Sequence, residues 1–267
     1  MSGWGPEVWV AMAGFGGAMM NAIAGGGTLL TFPALLAAGL PPVLANTTST
    51  VALGLGMPGS VWAFRRHLPA VRPWIAPLGL ASALGGIAGG VLLLALPSRV
   101  FVAVVPWLLL LATTLFVLNE PIVRWLKRRP AAPPADANRP AGEAAEVPAR
   151  PRAWGVAFQV LVGLYGGYFG AGIGIMMMAS LSLLGLRDIN RLNALKSVLA
   201  LLANGVSIVY FIARGQVDWP LAAWLMAGSV PGYVVGARLA QRIPPRVVRF
   251  IAAAIGVVIA VSFWVKG

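Results

Sequence analysis

Long apolar stretches without a charged residue constrain this chain more than any other feature. Trp74–Leu96, Val100–Leu118 and Phe250–Val265 are each long enough to cross, or nearly cross, a hydrocarbon layer about 30 Å thick. Hydrophobic residues make up 59% of the chain and charged residues only 10%, whereas soluble domains carry roughly 25% charged residues. The sequence therefore predicts an all-α polytopic membrane protein.

The formal net charge of +13 does not indicate nucleic-acid binding. Many of the basic residues flank apolar spans, as the excess of Lys and Arg in cytoplasmic loops predicts. The chain contains no cysteine, which excludes disulfides, thiolate metal sites and thiol nucleophiles.

A glycine-rich interruption occurs twice within the apolar sequence. The first copy lies between Gly17 and Thr28, and the second lies between Gly163 and Gly174. Irregular backbone at membrane depth is tolerated only where protein or a water-filled cavity shelters it. Matching interruptions in two halves of a membrane protein are the best sequence indication of a transporter's binding site.

One long polar stretch separates two similar halves. Residues 119–153 contain seven prolines and charges of both signs, so this segment cannot bury enough apolar surface to fold alone. We predict a first membrane repeat over 1–118, a flexible cytoplasmic linker over 119–153 and a second repeat over 154–267. The aligned pairs are Gly17 and Gly163, Leu35 and Leu181, Gly39-Leu40 and Gly185-Leu186, Asn46 and Asn193, Phe64 and Phe211, Gly85 and Gly232, and Gly89 and Gly236.

Each half is predicted to contain five helical pieces, the second of which is too short to span comfortably at 1.5 Å per residue. It either pairs with the first piece as a re-entrant hairpin or crosses at a tilt. An odd number of crossings makes the repeats inverted. The predicted pieces are Val8–Ala24, Thr28–Ala38, Val43–Phe64, Trp74–Leu96 and Arg99–Leu118, then Trp154–Phe169, Ile175–Leu184, Arg191–Ala213, Trp219–Ile243 and Arg246–Val265.

The basic residues support this inversion. With the linker in the cytoplasm, the loop of Arg65 and Arg66 and the loop of Arg187 and Arg191 also fall inside, while the loop of Arg214 falls outside. Equivalent loops thus change sides between the halves, and the basic residues follow the cytoplasm both times. The paired glycines at Gly85-x-x-x-Gly89, Gly86-x-x-x-Gly90 and Gly232-x-x-x-Gly236 predict close helix contacts.

The first glycine break reads Gly25-Gly26-Gly27-Thr28-Leu29-Leu30 before Pro33, and Gly39-Leu40-Pro41-Pro42 and Ala45-Asn46-Thr47-Thr48 follow it. These motifs resemble those of the sulfite exporter TauE/SafE family of membrane anion permeases. In the second half the break reads Gly170-Ala171-Gly172-Ile173-Gly174, without the triple glycine. The resemblance implies a multi-pass protein of the bacterial inner membrane that moves sulfite, organosulfonates or related anions, with no cofactor. The motifs of the second half that resemble the family's second repeat are Asn190 to Lys196, Asn204-Gly205 and Val217-Asp218-Trp219.

The glycine breaks are the first candidates for substrate binding. Helices beginning near Thr28 and Ile175 would direct free backbone N–H groups and a positive dipole end toward mid-membrane, where an anion binds without a charged side chain. The alternative is that the glycines only permit a turn or tight packing. The candidates are Gly25, Gly26, Gly27, Thr28, Gly170, Gly172 and Gly174.

Polar residues within apolar sequence are the second set of candidates. Hydroxyl and amide N–H groups suit the oxygens of sulfite or a sulfonate. The alternative is helix capping and hydrogen bonding between helices. These candidates are Asn21, Asn46, Thr47, Thr50, Asn193 and Asn204.

Lys196 is the basic residue best placed to lie inside a span, about five residues into its helix. Intramembrane ionisable residues usually face a cavity on the substrate path. The alternative is that Lys196 extends toward the cytoplasmic headgroups. The seven acidic residues all fall outside the predicted membrane cores, which argues against a cation transporter and against a metal site.

The remaining function classes are an enzyme and a channel. The lone His67 lies in a loop and the chain offers no carboxylate or histidine cluster, so an enzyme is not predicted. We predict a secondary transporter that moves small anions, sulfite or an organosulfonate, by alternating access. An anion channel, or a uniporter for another small anion, is the alternative. The predicted partners are the anion and the lipid bilayer.

Overall fold

The computed structural model describes residues 5–128, 151–186 and 188–239, and the regular structure in these ranges is helical. Two short 3-10 turns, Arg65–His67 and Pro69–Val71, precede the fifth helix. The helices are α1 Pro6–Ala24, α2 Thr28–Ala37, α3 Pro42–Gly54, α4 Met57–Ala63, α5 Arg72–Ala95, α6 Ser98–Arg128, α7 Ala153–Tyr168, α8 Ile173–Leu183, α9 Ile189–Ala213 and α10 Trp219–Leu239.

Helix lengths agree with the predicted order of long and short pieces. The segments Pro69–Ala95 and Ile189–Ala213 are long and apolar enough to cross a membrane. By contrast, α2 has 10 residues and α8 has 11, or about 15 Å each at 1.5 Å per residue. The second piece of each half is therefore short, as the sequence predicts.

The two short helices end in the same turn. Gly39 after α2 and Gly185 after α8 have φ of 97° and 107°, a left-handed conformation that glycine adopts without a Cβ penalty. In both turns the N–H of the following leucine donates to a carbonyl in the last turn of the helix. The N–H of Leu40 donates to Leu35 O and that of Leu186 donates to Leu181 O, each at 3.1 Å. This is the hydrogen bonding of a Schellman motif, and it occurs at positions that the alignment of the halves makes equivalent.

The third piece of the first half is not one helix. The predicted span Val43–Phe64 is divided into α3 and α4, with Leu55 and Gly56 between them. Pro58 explains the division, because proline lacks an N–H and clashes with the carbonyl four residues earlier, here that of Gly54, the last residue of α3. Pro58 instead occupies the first turn of α4, where proline is favoured.

Helix α6 extends further than predicted. It continues to Arg128, so residues 119–128 of the predicted linker are helical. The prediction ended the helix where the polar stretch begins. However, Ile122, Trp125 and Leu126 repeat at helical spacing among basic residues, which is typical of an amphipathic helix. Residues 129–150 of the predicted linker and the predicted piece Arg246–Val265 lie outside the described residues.

Two close helix pairs dominate the packing. Helix α1 lies along α10, and α5 lies along α7. A Cβ atom added to Gly85 would overlap Val160 O, and one added to Gly232 would overlap Phe15 O. The small residues thus bring two backbones into contact, as the glycine spacing predicts. Each pair joins the first helical piece of one half to the fourth predicted piece of the other half.

Because of this contact, Gly85→Ala is expected to destabilise the fold. Overpacking a tight interface typically costs 1–3 kcal/mol, and backbone atoms cannot rotate away as a side chain can. Gly59→Ala is the matched control, since a Cβ there meets nothing within 4 Å. Thermal unfolding in detergent would test this, and equal melting temperatures for the two variants would contradict it.

Four aromatic side chains connect the halves in the core. The rings of Phe32 and Phe169 lie 5.7 Å apart, nearly perpendicular, and those of Phe101 and Tyr168 are also 5.7 Å apart. Such edge-to-face pairs stabilise a core beyond their burial. The cluster joins α2 and α6 of the first half to the end of α7, next to the second glycine break.

Candidate anion-binding cavity

The two glycine breaks touch each other. Gly25 follows α1 in the left-handed conformation, with φ of 77°, and its N–H donates to Asn21 O at 3.0 Å. A Cβ on Gly25 would lie 3.1 Å from the Cα of Gly174 in the first turn of α8. Gly172, which precedes α8, also has φ of 77°. The interrupted backbones of the two halves therefore meet without an intervening side chain.

A small cavity, partly open to the outside, lies against this contact. Both halves contribute to its wall. It includes Gly25 and Gly174, the start of α8, one face of α4 and the first half of α9. The lining residues are Asn21, Ala22, Gly25, Met57, Ser60, Phe64, Ile173, Gly174, Lys196, Ser197, Ala200 and Tyr233.

Lys196 supplies the positive charge of the cavity. Its side chain is half-buried, and its Cδ would lie 3.6 Å from a Cβ on Gly174. The α8 N-terminus beside it begins at Ile173. Ile173 N and Ile175 N donate to Gly170 O at 3.3 Å and to Gly172 O at 3.0 Å, so this helix start contributes its positive dipole end and not a row of free N–H groups. An ammonium group and a helix N-terminus thus face the same space, and both favour an anion.

Two acidic side chains near the helices of the cavity are engaged elsewhere. Asp188 caps α9, accepting from Asn190 N at 3.0 Å and Arg191 N at 2.8 Å. It lies eight residues before Lys196, or about 12 Å along the helix. Asp218 accepts from Leu221 N at the start of α10. These carboxylates stabilise helix starts rather than the Lys196 ammonium.

Tyr233 is a cavity residue that the sequence analysis missed. The Asn21 side-chain amide donates to Tyr233 Oη at 2.6 Å, and that hydroxyl donates to Leu53 O at 3.1 Å. A Cβ on Gly56 would overlap the Tyr233 ring. Tyr233 therefore connects α1 and α10 to the break between α3 and α4. The only sequence feature that could have indicated this residue is a tyrosine within an apolar span, and the chain contains four tyrosines.

Four of the predicted binding residues line the cavity: Asn21, Gly25, Gly174 and Lys196. The first α2 turn does not join them, although α2 begins at Thr28 as predicted. A Cβ on Gly27 would lie 3.1 Å from the Asn21 Cβ, so Gly27 packs on α1. Gly26 is buried and its carbonyl accepts from Leu29 N at 3.0 Å.

The polar residues of α3 make internal hydrogen bonds away from the cavity. Asn46 donates to Tyr168 O at 3.0 Å and so satisfies the last carbonyl of α7. Thr47 Oγ1 donates to Val43 O at 3.1 Å and Thr50 Oγ1 donates to Asn46 O at 2.9 Å. In the structure these three residues therefore make hydrogen bonds within and between helices, which is the alternative to substrate binding given above.

The remaining predicted residues surround the second break or the start of α9. Gly170 has φ of 79°, and a Cβ there would lie 3.9 Å from Asn204 Oδ1. Asn204 itself is buried and donates to Ala200 O at 2.9 Å. Asn193 is half-buried and, like Gly170, Gly172 and Asn204, is not part of the cavity lining.

Comparison with known proteins places this architecture in a family. The family described as "Sulfite exporter TauE/SafE" matches residues 10–263, which is nearly the whole chain. The chain belongs to the sulfite exporter TauE/SafE family. Its members include membrane transporters and the chain is therefore a membrane protein of a transporter family, not an enzyme.

Individual relatives agree with this assignment. The chain is 30% identical over 233 residues to a probable membrane transporter protein of Haemophilus influenzae, covering 85% of this chain and 82% of that protein. It is 25% identical over 252 residues to the probable membrane transporter protein ORF9 of a Sinorhizobium species, covering 94% and 89%. It is 26% identical over 238 residues to the probable membrane transporter protein YfcA of Escherichia coli K12, covering 86% and 78%. No solved structure matches the chain significantly.

Proposed function

We propose that this TauE/SafE protein is a multi-pass secondary transporter of the cell inner membrane that moves sulfite or a small organosulfonate by alternating access. The observation that carries this proposal is the position of Lys196 over the Gly25–Gly174 contact, in a cavity built from both halves. An anion there would meet the positive charge of Lys196 and the positive dipole end of α8.

The helix pairs support the inverted-repeat part of the proposal. If the halves are related by a two-fold axis, the pairing of α1 with α10 requires a pairing of α7 with α5, and both occur. Transporters built from inverted repeats bind substrate where broken helices of the two repeats meet. Here the cavity lies at the meeting point of the two breaks.

The cavity lies beside the basic turn of Arg65 and Arg66. Its wall includes residues of α4, which leads into that turn, and residues of α9, a helix that also packs against the turn. Arginine-rich loops mark the cytoplasmic side. We therefore infer that the described conformation is open to the cytoplasm.

The decisive experiment is solute exchange in proteoliposomes containing the purified protein. Labelled sulfite and labelled methanesulfonate should accumulate when the same unlabelled anion is trapped inside, and the initial rate should saturate. Rubidium and choline should not exchange. Flux that rises linearly with concentration, with no counterflow, would instead establish an anion channel. Exchange of cations but of neither sulfur anion would contradict the proposal.

A further inference from the structure

The internal repeat assigns each cavity residue a counterpart on the opposite side of the molecule. After the one-residue shift that aligns Asn46 with Asn193, equivalent positions differ by about 147 in number. The α4 wall, Met57, Ser60 and Phe64, then corresponds to residues in the second half of α9. These counterparts are Asn204, Ser207 and Phe211, and the counterpart of Ser197 is Thr50.

Contacts in the structure follow the same correspondence. Tyr233 corresponds to Gly86, Asn21 to Gly167 and Gly56 to Ala203. Tyr233 contacts Asn21 and Gly56 beside the cavity. In the same way, a Cβ on Gly167 would overlap Gly86 O, and a Cβ on Gly86 would overlap Ala203 O. Two contacts around one position thus recur around its counterpart.

The two equivalent sets differ in exposure. Met57, Ser60 and Phe64 are half-buried along the cavity wall. Asn204 is 4% exposed, and Ser207 and Phe211 are 0% exposed. Ser207 Oγ donates to Gly86 O at 2.9 Å, and this hydrogen bond connects α9 to α5. One side of the molecule is therefore open where the equivalent side is closed.

The third helical piece also differs between the halves. In the first half it is broken before Pro58, whereas α9 is continuous over 25 residues. The position equivalent to Pro58 is Gly205. Glycine in a helix interior is unfavourable relative to alanine, yet a Cβ on Gly205 would meet nothing within 4 Å. Packing does not require a glycine here, whereas its low helix propensity would make a bend in α9 less costly at this position.

We propose that a second substrate-facing surface, lined by Thr50, Asn204, Ser207 and Phe211, opens on the side opposite the cavity when α9 bends at Gly205. The inference rests on the proposed transport function, because an anion that leaves the cavity needs a route across the other half of the molecule. Two halves with one fold can exchange their conformations, and the closed side then becomes the open one.

The surface would offer an anion uncharged donors: one amide and two hydroxyls. Lys196 corresponds to Ser49, so the counterpart surface has no equivalent of the ammonium. Lys196 and Ser207 are eleven residues apart on α9, or about 16 Å along the helix. The anion would thus bind more weakly at the second surface than in the cavity, which favours its release there.

Cysteine accessibility tests the proposal in a chain that has no native cysteine. Ser207→Cys, its counterpart Ser60→Cys and the buried control Ser82→Cys would be treated with a charged, membrane-impermeant thiol reagent, from either face of oriented membrane vesicles. Ser82 is also 0% exposed, but it bonds Gln159 inside the α5–α7 pair. Methanesulfonate serves as the anion, because sulfite itself consumes thiol reagents.

Ser60→Cys should react from the Arg65 face, Ser207→Cys only from the opposite face, and Ser82→Cys from neither. Minor states are typically populated at 0.1–10%, so Ser207→Cys should react at least about tenfold more slowly than Ser60→Cys. A Ser207→Cys rate no higher than that of Ser82→Cys, in protein that exchanges methanesulfonate, would overturn the second surface alone. Labelling of Ser207→Cys from the opposite face without any anion exchange would support the second surface and contradict the proposed anion transport.

Gly205→Ala tests the bend directly. Alanine should hold α9 straight without a steric clash, and both anion exchange and Ser207→Cys labelling should fall about fivefold, given the helix propensity difference of about 1 kcal/mol. Gly59→Ala, which also meets open space, should leave both rates unchanged. Unaltered labelling in the Gly205→Ala protein would reject bending at this residue.

Discussion

Replacing Lys196 by methionine is expected to weaken anion binding at least tenfold while the protein still folds. Methionine keeps the length of the side chain over Gly174 and removes its charge. At about 4 Å in surroundings of intermediate dielectric, a pair of unit charges has a Coulomb energy on the order of 4 kcal/mol before desolvation reduces it. A net loss of about 1.4 kcal/mol already corresponds to a tenfold weaker affinity.

The matched control is Arg66→Met, which removes one positive charge from the same face of the protein. Arg66 is exposed and outside the cavity, so its effect should be small and should disappear at high salt. Lys196→Arg should retain part of the affinity, since the charge survives but its geometry changes. Saturation curves for methanesulfonate exchange would measure all three. A Lys196→Met curve that superimposes on the parental curve would show that the lysine only extends toward the headgroups.

Local backbone features were the most predictable part of this structure. The ends of α2 and α8 follow from Gly39 and Gly185, and the start of α2 at Thr28 follows from the glycines before it. Such signals act through a few neighbouring residues, so the sequence contains them completely. The break before Pro58 belongs to the same class. It was missed because its apolar surroundings read as one continuous span.

The wall of the cavity was much harder to predict. In a soluble protein, the apolar stripe of a helix shows which side faces the core. In this chain the lipid-facing and core-facing sides are both apolar: Val209 is 68% exposed and Ile208 only 9%, although both lie on α9. Sequence periodicity therefore could not show that Ser60 and Tyr233 line the cavity while Thr50 lies outside it. Lys196 was identifiable because its charge limits where it can lie.

The polar residues of α3 were also difficult to assign from the sequence. Thr47 and Thr50 suit an anion chemically, but each hydroxyl donates to a carbonyl of its own helix. Within an apolar environment a hydroxyl gains from any internal acceptor, and the nearest acceptor lies one turn earlier. Residue type alone could not distinguish this from substrate binding. Their role on the opposite surface stays a prediction that the cysteine experiment addresses.

Gly25→Ala is expected to reduce anion exchange more than tenfold. The left-handed conformation at this residue costs roughly 1–2 kcal/mol for a residue with a Cβ. In addition, the new methyl group would lie 3.1 Å from Gly174 Cα, closer than ordinary van der Waals contact between carbon atoms. The two breaks would have to separate by a few tenths of an ångström, and the α8 N-terminus would shift relative to Lys196.

Gly39→Ala separates the effect of this contact from the effect of backbone strain. Gly39 has an even larger positive φ of 97°, but a Cβ there meets nothing within 4 Å and the residue is outside the cavity. Both variants should therefore lose thermal stability through backbone strain, whereas only Gly25→Ala should lose anion exchange. Melting temperatures and initial exchange rates, measured on the same preparations, would decide between the two explanations. Equal losses of exchange in both variants would mean that strain in the fold, and not the meeting of the two glycine breaks, limits transport.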